Sequence, residues 1–263
     1  MKAVVLSAGQ GRRLLPLTRQ IPKCLLSVSA TRAEPLLARQ LTTLARAGVE
    51  HAVVLIGFGA QHVEEWLATH PIPGIHIETR FNPFYEHADN LITCWLARSE
   101  FEGPCLLLNG DTLFAPEILR RVLDAPPSDV LMTVDHKHRY DDDDMKVELD
   151  ARRRVRAVGK ALATGRTHAE SIGLFRFAED GPKRFVHCLE EAVRHPAALS
   201  SWYLDAVDRL ARMLPIETLA VDGAWWREID DLADLQRARH ELSRRPARRP
   251  AHSPRPASLA INP

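Results

Sequence analysis

The sequence of 263 residues predicts an α/β protein built on a doubly wound, mostly parallel sheet, and three observations carry that expectation. Apolar runs of strand length recur at 3–7, 52–57, 75–79, 104–109 and 130–134. Segments with helical spacing lie between them, at 35–47, 61–69, 89–98 and 116–123. The runs are too continuous for a sheet with one wet face, so helices should cover both faces. Ligands of such a sheet bind at the carboxyl ends of its strands, where Gly9, Gly57 and Asn109-Gly110-Asp111 fall.

The first run breaks at Ser7-Ala8-Gly9-Gln10-Gly11-Arg12-Arg13 and continues through Pro16-Leu17-Thr18 to Pro22-Lys23. That order reads as a strand, a loop whose glycines let backbone N–H groups face an anion, and two counter-charges, Arg13 and Lys23. The predicted ligand is a nucleoside triphosphate. A Walker loop would need Gly-Lys-Ser/Thr and a dinucleotide fingerprint a third glycine, and neither is present. Asp111 follows the run at 104–109 and a glycine that clears space around it, so its carboxylate should project into the cleft. From residue 145 the pattern changes. Met145–Leu149 and Arg154–Val158 alternate like paired strands around Asp150-Ala151-Arg152-Arg153, a hairpin expected to cover the site. A strand at 171–177, helices near 181–194 and 202–212, a strand at 216–221 and a helix over about 231–242 complete the chain. The run Asp141–Asp144 reads as a solvated loop, because four consecutive carboxylates cannot converge on one ion.

A hydrophobic content of 45% suffices for a substantial core. No apolar stretch approaches the roughly 20 residues of a membrane span, and Met1-Lys2 leads straight into a strand, so a soluble cytoplasmic protein without membrane insertion is expected. Four widely spaced cysteines argue for reduced thiols. The net charge of +1 hides five arginines and no acids in residues 243–263, leaving 1–242 mildly acidic and arguing against a nucleic-acid groove. The expected organisation is a folded domain over 1–242 and a disordered Arg/Pro-rich tail over 243–263.

The opening segment resembles the signature Gly-x-Gly-x-Arg-(Leu)-x-Pro-Leu-Thr-x-x-x-Pro-Lys of nucleotidyltransferases that make nucleotide sugars and related activated alcohols; Ser7 and Leu15 replace common alternatives. Phe81-Asn82-Pro83-Phe84-Tyr85 through Asp89-Asn90 to Ala97 resembles a segment of bacterial choline-phosphate cytidylyltransferases. Asp144-Met145-Lys146-Val147, Glu170-Ser171-Ile172-Gly173, Trp202-Tyr203-Leu204-Asp205 and Trp226–Asp230 reinforce it, over roughly residues 1–240. The resemblance implies a Rossmann-like nucleotidyltransferase fold with a small hairpin and helical lid on the acceptor side. Its substrates would be CTP and a small phosphorylated or phosphonate acceptor, its products a CDP- or CMP-linked compound and pyrophosphate.

By the same resemblance, Asp111 and Asp230 would hold Mg²⁺, with Glu228 a weaker candidate. Lys23 would meet the α-phosphate, Arg13 the leaving phosphates and Lys160, or second Lys146, the acceptor's phosphate. On the residues alone, Asp111 could be a turn residue and Asp230 a helix cap, a task Asp231 could take instead. Ala8, Gly9, Gly11, Gly57 and Asn90 are candidate nucleotide contacts, Asn90 equally a helix cap. A choline headgroup would want rings and a carboxylate; Trp202, Tyr203, Trp225, Trp226 and Tyr85 offer rings, Glu170 and Asp205 the charge. No general base is required, since a phosphate monoester with a second pKa of about 6 is already mostly dianionic. The competing readings are a sugar-1-phosphate nucleotidyltransferase using another triphosphate and a catalytically silent nucleotide-binding regulator. The tryptophan-rich last third could furnish a homodimer surface.

Overall fold

The structure, a computed structural model, describes residues 1–29 and 33–244. Its first half comprises β1 (Lys2–Ser7), α1 (Leu36–Arg46), β2 (His51–Ile56), α2 (Ala60–Thr69), β3 (His76–Phe81), α3 (Asn90–Leu96), β4 (Cys105–Asn109), β5 (Thr112–Phe114), α4 (Pro116–Asp124) and β6 (Val130–Asp135). The second half comprises β7 (Lys146–Leu149), β8 (Val155–Val158), β9 (Ala169–Phe177), α5 (Gly181–Ala192), α6 (Leu204–Leu210), β10 (Ile216–Ala220), β11 (Trp226–Glu228) and α7 (Leu232–Arg244). α7 thus runs past the expected domain boundary at 242, and the reading of the tail beyond it falls on 245–263, outside the described residues.

The main sheet has the order β10-β6-β9-β4-β1-β2-β3, with β7 joined to β9 and β8 to β7. β1 pairs in parallel with β2 and β4, β2 with β3, and β6 with β10. β9 alone among the central strands runs antiparallel to both neighbours, β4 and β6. The reason is its connection. β6 returns as β9 through the β7–β8 hairpin with no crossover helix, a route open to antiparallel neighbours and closed to parallel ones.

Successive residues of each central strand enter opposite cores. Val4 and Leu6 of β1 with Leu107 of β4 face Leu91, Phe185, Leu189 and Val207. Ala3, Val5, Leu106 and Leu108 face Leu37, Leu41 and Leu44 of α1 and Ile118 and Val122 of α4. The α1 leucines recur at helical spacing and are fully buried, each contributing about 1.5–3 kcal/mol of transfer free energy.

A third, smaller cluster positions the site. Leu14 after the glycine loop, Leu113 of β5, Ile229 after β11 and Leu235 of α7 pack together. Antiparallel β5 and β11 form a separate two-stranded ribbon beside the main sheet, one the sequence did not reveal. Among the described residues, no helix is long and apolar enough to cross a membrane.

Candidate active site

The glycine loop leaves β1 at Ser7 and is braced from both ends. The Ala8 carbonyl accepts from the Phe58 N–H at 3.0 Å, and the Thr18 hydroxyl donates to the Gly11 carbonyl at 2.9 Å. At Gly57 a Cβ would lie 2.5 Å from Tyr85 Cβ and 2.6 Å from the Ala8 oxygen, so Ala8, Gly57 and Tyr85 form one closely packed wall. Gly11 has φ 74°, and a Cβ there would come within 2.9–3.2 Å of the Lys23 methylenes. Only glycine lets the Lys23 stem cross the loop at that point. Gly9 is exposed with open space around it.

The ribbon brings the carboxylates to that lysine. Its register sets Glu228 opposite Thr112, and the Ile229 N–H donates to the Asp111 carbonyl at 3.0 Å. One oxygen each of Asp111, Glu228 and Asp230 lies within 4.8 Å of the others. Lys23 Nζ sits 2.9 Å from Asp111 Oδ2 and 2.9 Å from Asp230 Oδ1. Arg13 Nη2 is 2.7 Å from Asp230 Oδ2. Burial alone would push the Lys23 ammonium down, yet Asp111 and Asp230 hold it well above the ordinary lysine value. Burial would likewise raise Asp230, and Lys23 and Arg13 keep it low.

Crowding by the cleft walls and the like charges of Asp111 and Asp230 push the Glu228 carboxyl to about 8. Its side chain is open to water, so the repulsion among the three carboxylates is the firmer cause. Asp111 Oδ1 is buried without a hydrogen-bond partner. Three hard oxygen donors, one with an unpartnered buried atom, suit a small divalent cation. Asp231, not Asp230, caps α7: its Oδ1 accepts from the Asp234 N–H at 2.9 Å.

On the acceptor side, Lys160 Nζ lies 4.8 Å from the centroid of the Trp202 ring. Asp143 spans the cleft, with Oδ2 3.1 Å from Arg13 Nη1 and Oδ1 3.7 Å from Lys160 Nζ. The acidic run is therefore not simply a solvated loop. Asp144, with a side chain only 9% exposed, pairs with Lys137 at 2.8 Å, and Lys137 reaches the buried Glu170 at 2.5 Å.

Several predicted acceptor contacts have other partners. Tyr203 departs from its expected role: its ring has no exposed surface, and its hydroxyl donates to Asn109 Oδ1 at 2.9 Å. The apolar face of α6 must enter the core, and the ring goes with it. Lys146 is buried and donates to the Lys160 carbonyl at 2.9 Å, bracing that residue's backbone. The Trp226 indole donates to Asp135 and that of Trp225 to Glu241. Asp205 is exposed and lines an open depression with Asp208, Arg209 and His195. Asn90 Oδ1 accepts from the Tyr203 N–H at 3.0 Å, joining α3 to α6; it is the first residue of α3, and Asp89 stands at the cap position expected for it. Arg13, Lys23, Asp111, Asp230 and Lys160 are linked into one constellation. Sequence reasoning missed Asp143 in it, and only the ribbon reveals that Glu228, named as a weaker candidate, stands beside Asp111 and Asp230.

The sequence model of the nucleotidyl transferase family matches residues 2–140. The chain belongs to that family. It is 30% identical to CMP-5'-(3-aminopropyl)phosphonate synthase of Streptomyces rubellomurinus, over 92% of this chain and 39% of the relative. A bifunctional IPC transferase and DIPP synthase of Aquifex aeolicus is 24% identical over 91% of this chain and 51% of its own. The chain thus spans about half or less of those two relatives. A 2-aminoethylphosphonate cytidylyltransferase of Lancefieldella rimae is 23% identical over 89% of each chain. Among solved structures, the CTP:phosphocholine cytidylyltransferase of Streptococcus pneumoniae superposes with a TM-score of 0.72 at 18% identity, over 92% of this chain and 98% of that one. The inositol-1-phosphate CTP transferase of T. maritima gives 0.74 at 19%, over 92% and 96%. The nucleotidyltransferases share this Rossmann-like α/β fold.

Proposed function

We propose that the protein is a cytidylyltransferase that couples CTP to a small amine-bearing phosphonate or phosphate and releases pyrophosphate. The observation that carries the reading is Lys23 held between Asp111 and Asp230 at the glycine loop, with Arg13 and Lys160 converging from either side on Asp143. An oxygen of the acceptor's phosphonate or phosphate attacks the α-phosphorus of CTP. The bond from that phosphorus to the bridging oxygen breaks, and both electrons leave with pyrophosphate. No proton transfer is needed, which agrees with a cleft built of cations and carboxylates.

Asp111 and Asp230, with Glu228 beside them, would hold Mg²⁺. When bound, Mg²⁺ neutralises phosphate charge and polarises a phosphoryl oxygen. Lys23 would contact the α-phosphate, Arg13 the leaving phosphates and Lys160 the acceptor's anion. Ala8, Gly57 and Tyr85 form the wall against which the base packs.

The acceptor class follows from what surrounds Lys160. A quaternary ammonium gains about 0.5–2 kcal/mol from each well-placed ring, and the Trp202 face is already taken by Lys160. A carboxylate stands beside that ring instead, Asp143 at 3.7 Å from Lys160 Nζ. A primary ammonium is better served than choline, in keeping with the names of two relatives.

The test is pyrophosphate release with Mg²⁺ from CTP, UTP, GTP or ATP. Each is offered 2-aminoethylphosphonate, 3-aminopropylphosphonate, phosphocholine, inositol phosphate or glucose 1-phosphate. Turnover with CTP and an aminoalkylphosphonate is expected, and its loss in EDTA. A preference for a sugar phosphate would overturn the acceptor class and one for another triphosphate the cytidylyl reading; silence throughout would overturn the transferase itself.

A further inference from the structure

We infer that Gln40 is a positioning residue that fixes the turn carrying Asp111 and so sets the site's affinity for its divalent cation. The inference rests on the reading of Asp111 as a cation ligand. Gln40 lies on α1, 2% exposed, on the buried face that also carries Leu36, Leu37, Leu41, Thr43 and Leu44. Its Nε2 donates one hydrogen to the Asn109 carbonyl and the other to the Thr112 carbonyl, each at 2.8 Å. Those carbonyls bracket Gly110-Asp111. One buried amide nitrogen thus ties both ends of the turn, across a sequence separation of 69 and 72 residues.

The placement is costly for packing alone. A buried amide must be desolvated, and Gln40 Oε1 has no hydrogen-bond partner, so the cost is offset only through the two carbonyls that the nitrogen holds. What the amide supplies is a fixed turn. The rest of the surroundings agree. Tyr203 holds the Asn109 side chain with its hydroxyl, in space left by Gly173, where a Cβ would lie 2.3 Å from Asn109 Nδ2. The Gly110 N–H donates to the Leu6 carbonyl at 2.9 Å, and Ile229 holds the Asp111 carbonyl. The backbone around Asp111 is therefore pinned, while its carboxylate touches only Lys23 and keeps Oδ1 unpartnered. A pinned backbone delivers that carboxylate to one place whether a lysine or a metal ion faces it.

Direct Mn²⁺ binding to the full chain, followed by the electron paramagnetic resonance of the free ion, tests this without turnover. Gln40→Met removes both donors at similar volume, and Gln40→Glu sets an oxygen against two carbonyls. Both should weaken Mn²⁺ binding by about 10-fold or more, the loss usual when a support of a metal ligand is removed. Tyr203→Phe, which deletes one hydroxyl, should give a smaller loss and guards against misfolding of the Gln40 variants. Leu44→Ala, a core truncation on the same helix, should lower the Tm and leave Mn²⁺ affinity unchanged. Wild-type affinity in folded Gln40 variants, alongside a large loss in Asp111→Asn, would overturn the inference and spare the metal reading. Wild-type affinity in Asp111→Asn would overturn both.

Discussion

Lys23→Met is the most informative perturbation, because it separates what Lys23 does for the fold from what it does for the substrate. The ammonium makes two contacts of 2.9 Å, from a side chain 12% exposed to carboxylates 28% and 26% exposed. Breaking a buried ion pair by removing one partner costs about 3–5 kcal/mol, whereas an exposed pair is worth about 0–1. With the lysine nearly buried and its partners a quarter open, the cost falls between these, at about 2–3 kcal/mol. In a chain of this size each kcal/mol moves the Tm by about 2–4 °C, so a drop of roughly 4–12 °C is expected.

The variant also leaves Asp111, Glu228 and Asp230 one cation short, with Arg13 still paired to Asp230 at 2.7 Å. Millimolar Mg²⁺ should therefore raise its Tm more than that of the wild type, where Lys23 competes for the same oxygens. Turnover should fall by about 10²–10³-fold or more even with Mg²⁺ present, since the lost charge is the one assigned to the α-phosphate. Scanning calorimetry with and without Mg²⁺, beside a pyrophosphate assay, measures all three. An unchanged Tm together with an equal response to Mg²⁺ would refute the exchange of partners at these carboxylates.

Two further outcomes follow from the acceptor side. Asp143→Asn removes an exposed carboxylate from Arg13 and Lys160; with each exposed contact worth at most about 1 kcal/mol, the KM for CTP should fall up to about 5-fold at low salt. The advantage should fade in high salt, and a raised KM in steady-state kinetics would contradict the competition. Burial, only partly offset by Lys137 and reinforced by Asp144, pushes the Glu170 carboxyl from 4.5 to about 8. The folded chain therefore holds an extra proton across that window, so stability declines as pH rises through it and levels off above. Glu170→Gln abolishes the decline, and its Tm advantage should grow from about pH 5 to about pH 8. Equal Tm differences at the two pH values would show that Glu170 is ionised in the fold throughout.

The alternation of apolar runs and helical segments was legible because both faces of the sheet are covered, which makes each central strand a continuous hydrophobic word. The direction of β9 was not. A strand's sequence carries no sense of its neighbours, and only the hairpin route from β6 decides it. The β5–β11 ribbon was invisible for a different reason: at three residues each, its strands are too short to show a period, yet they join Asp111 to Glu228. Charged residues were legible as chemistry and illegible as partners. Lys137 and Asp143 carry no motif: Asp143 meets Arg13 because the loop before β7 folds back toward the segment after the glycine loop, and Lys137 meets Glu170 where that loop lies beside β9. Tyr203 misled for the opposite reason, since an aromatic in a family-like motif reads the same whether its ring faces a ligand or the core.

The charges of the cleft form two sets of exchangeable pairs. Arg13 and Lys160 rest on Asp143, and Lys23 rests on Asp111 and Asp230. Each cation assigned to a phosphate thus already has a carboxylate in the place of one. Binding a triphosphate swaps ion pair for ion pair, so affinity is a difference between similar terms and not the full Coulomb energy of the new contacts. Lys23 cannot turn to an anion while it neutralises Asp111 and shares Asp230 with Arg13, and those carboxylates cannot be left uncompensated in a cleft that also holds Glu228. On the proposed reading, cation and nucleotide therefore favour each other's binding through Lys23, and by linkage the effect must be mutual. A turn around Asp111 that kept its shape through the exchange would let this coupling be expressed as affinity instead of being lost in rearrangement, which is the physical reason for a clamp such as Gln40.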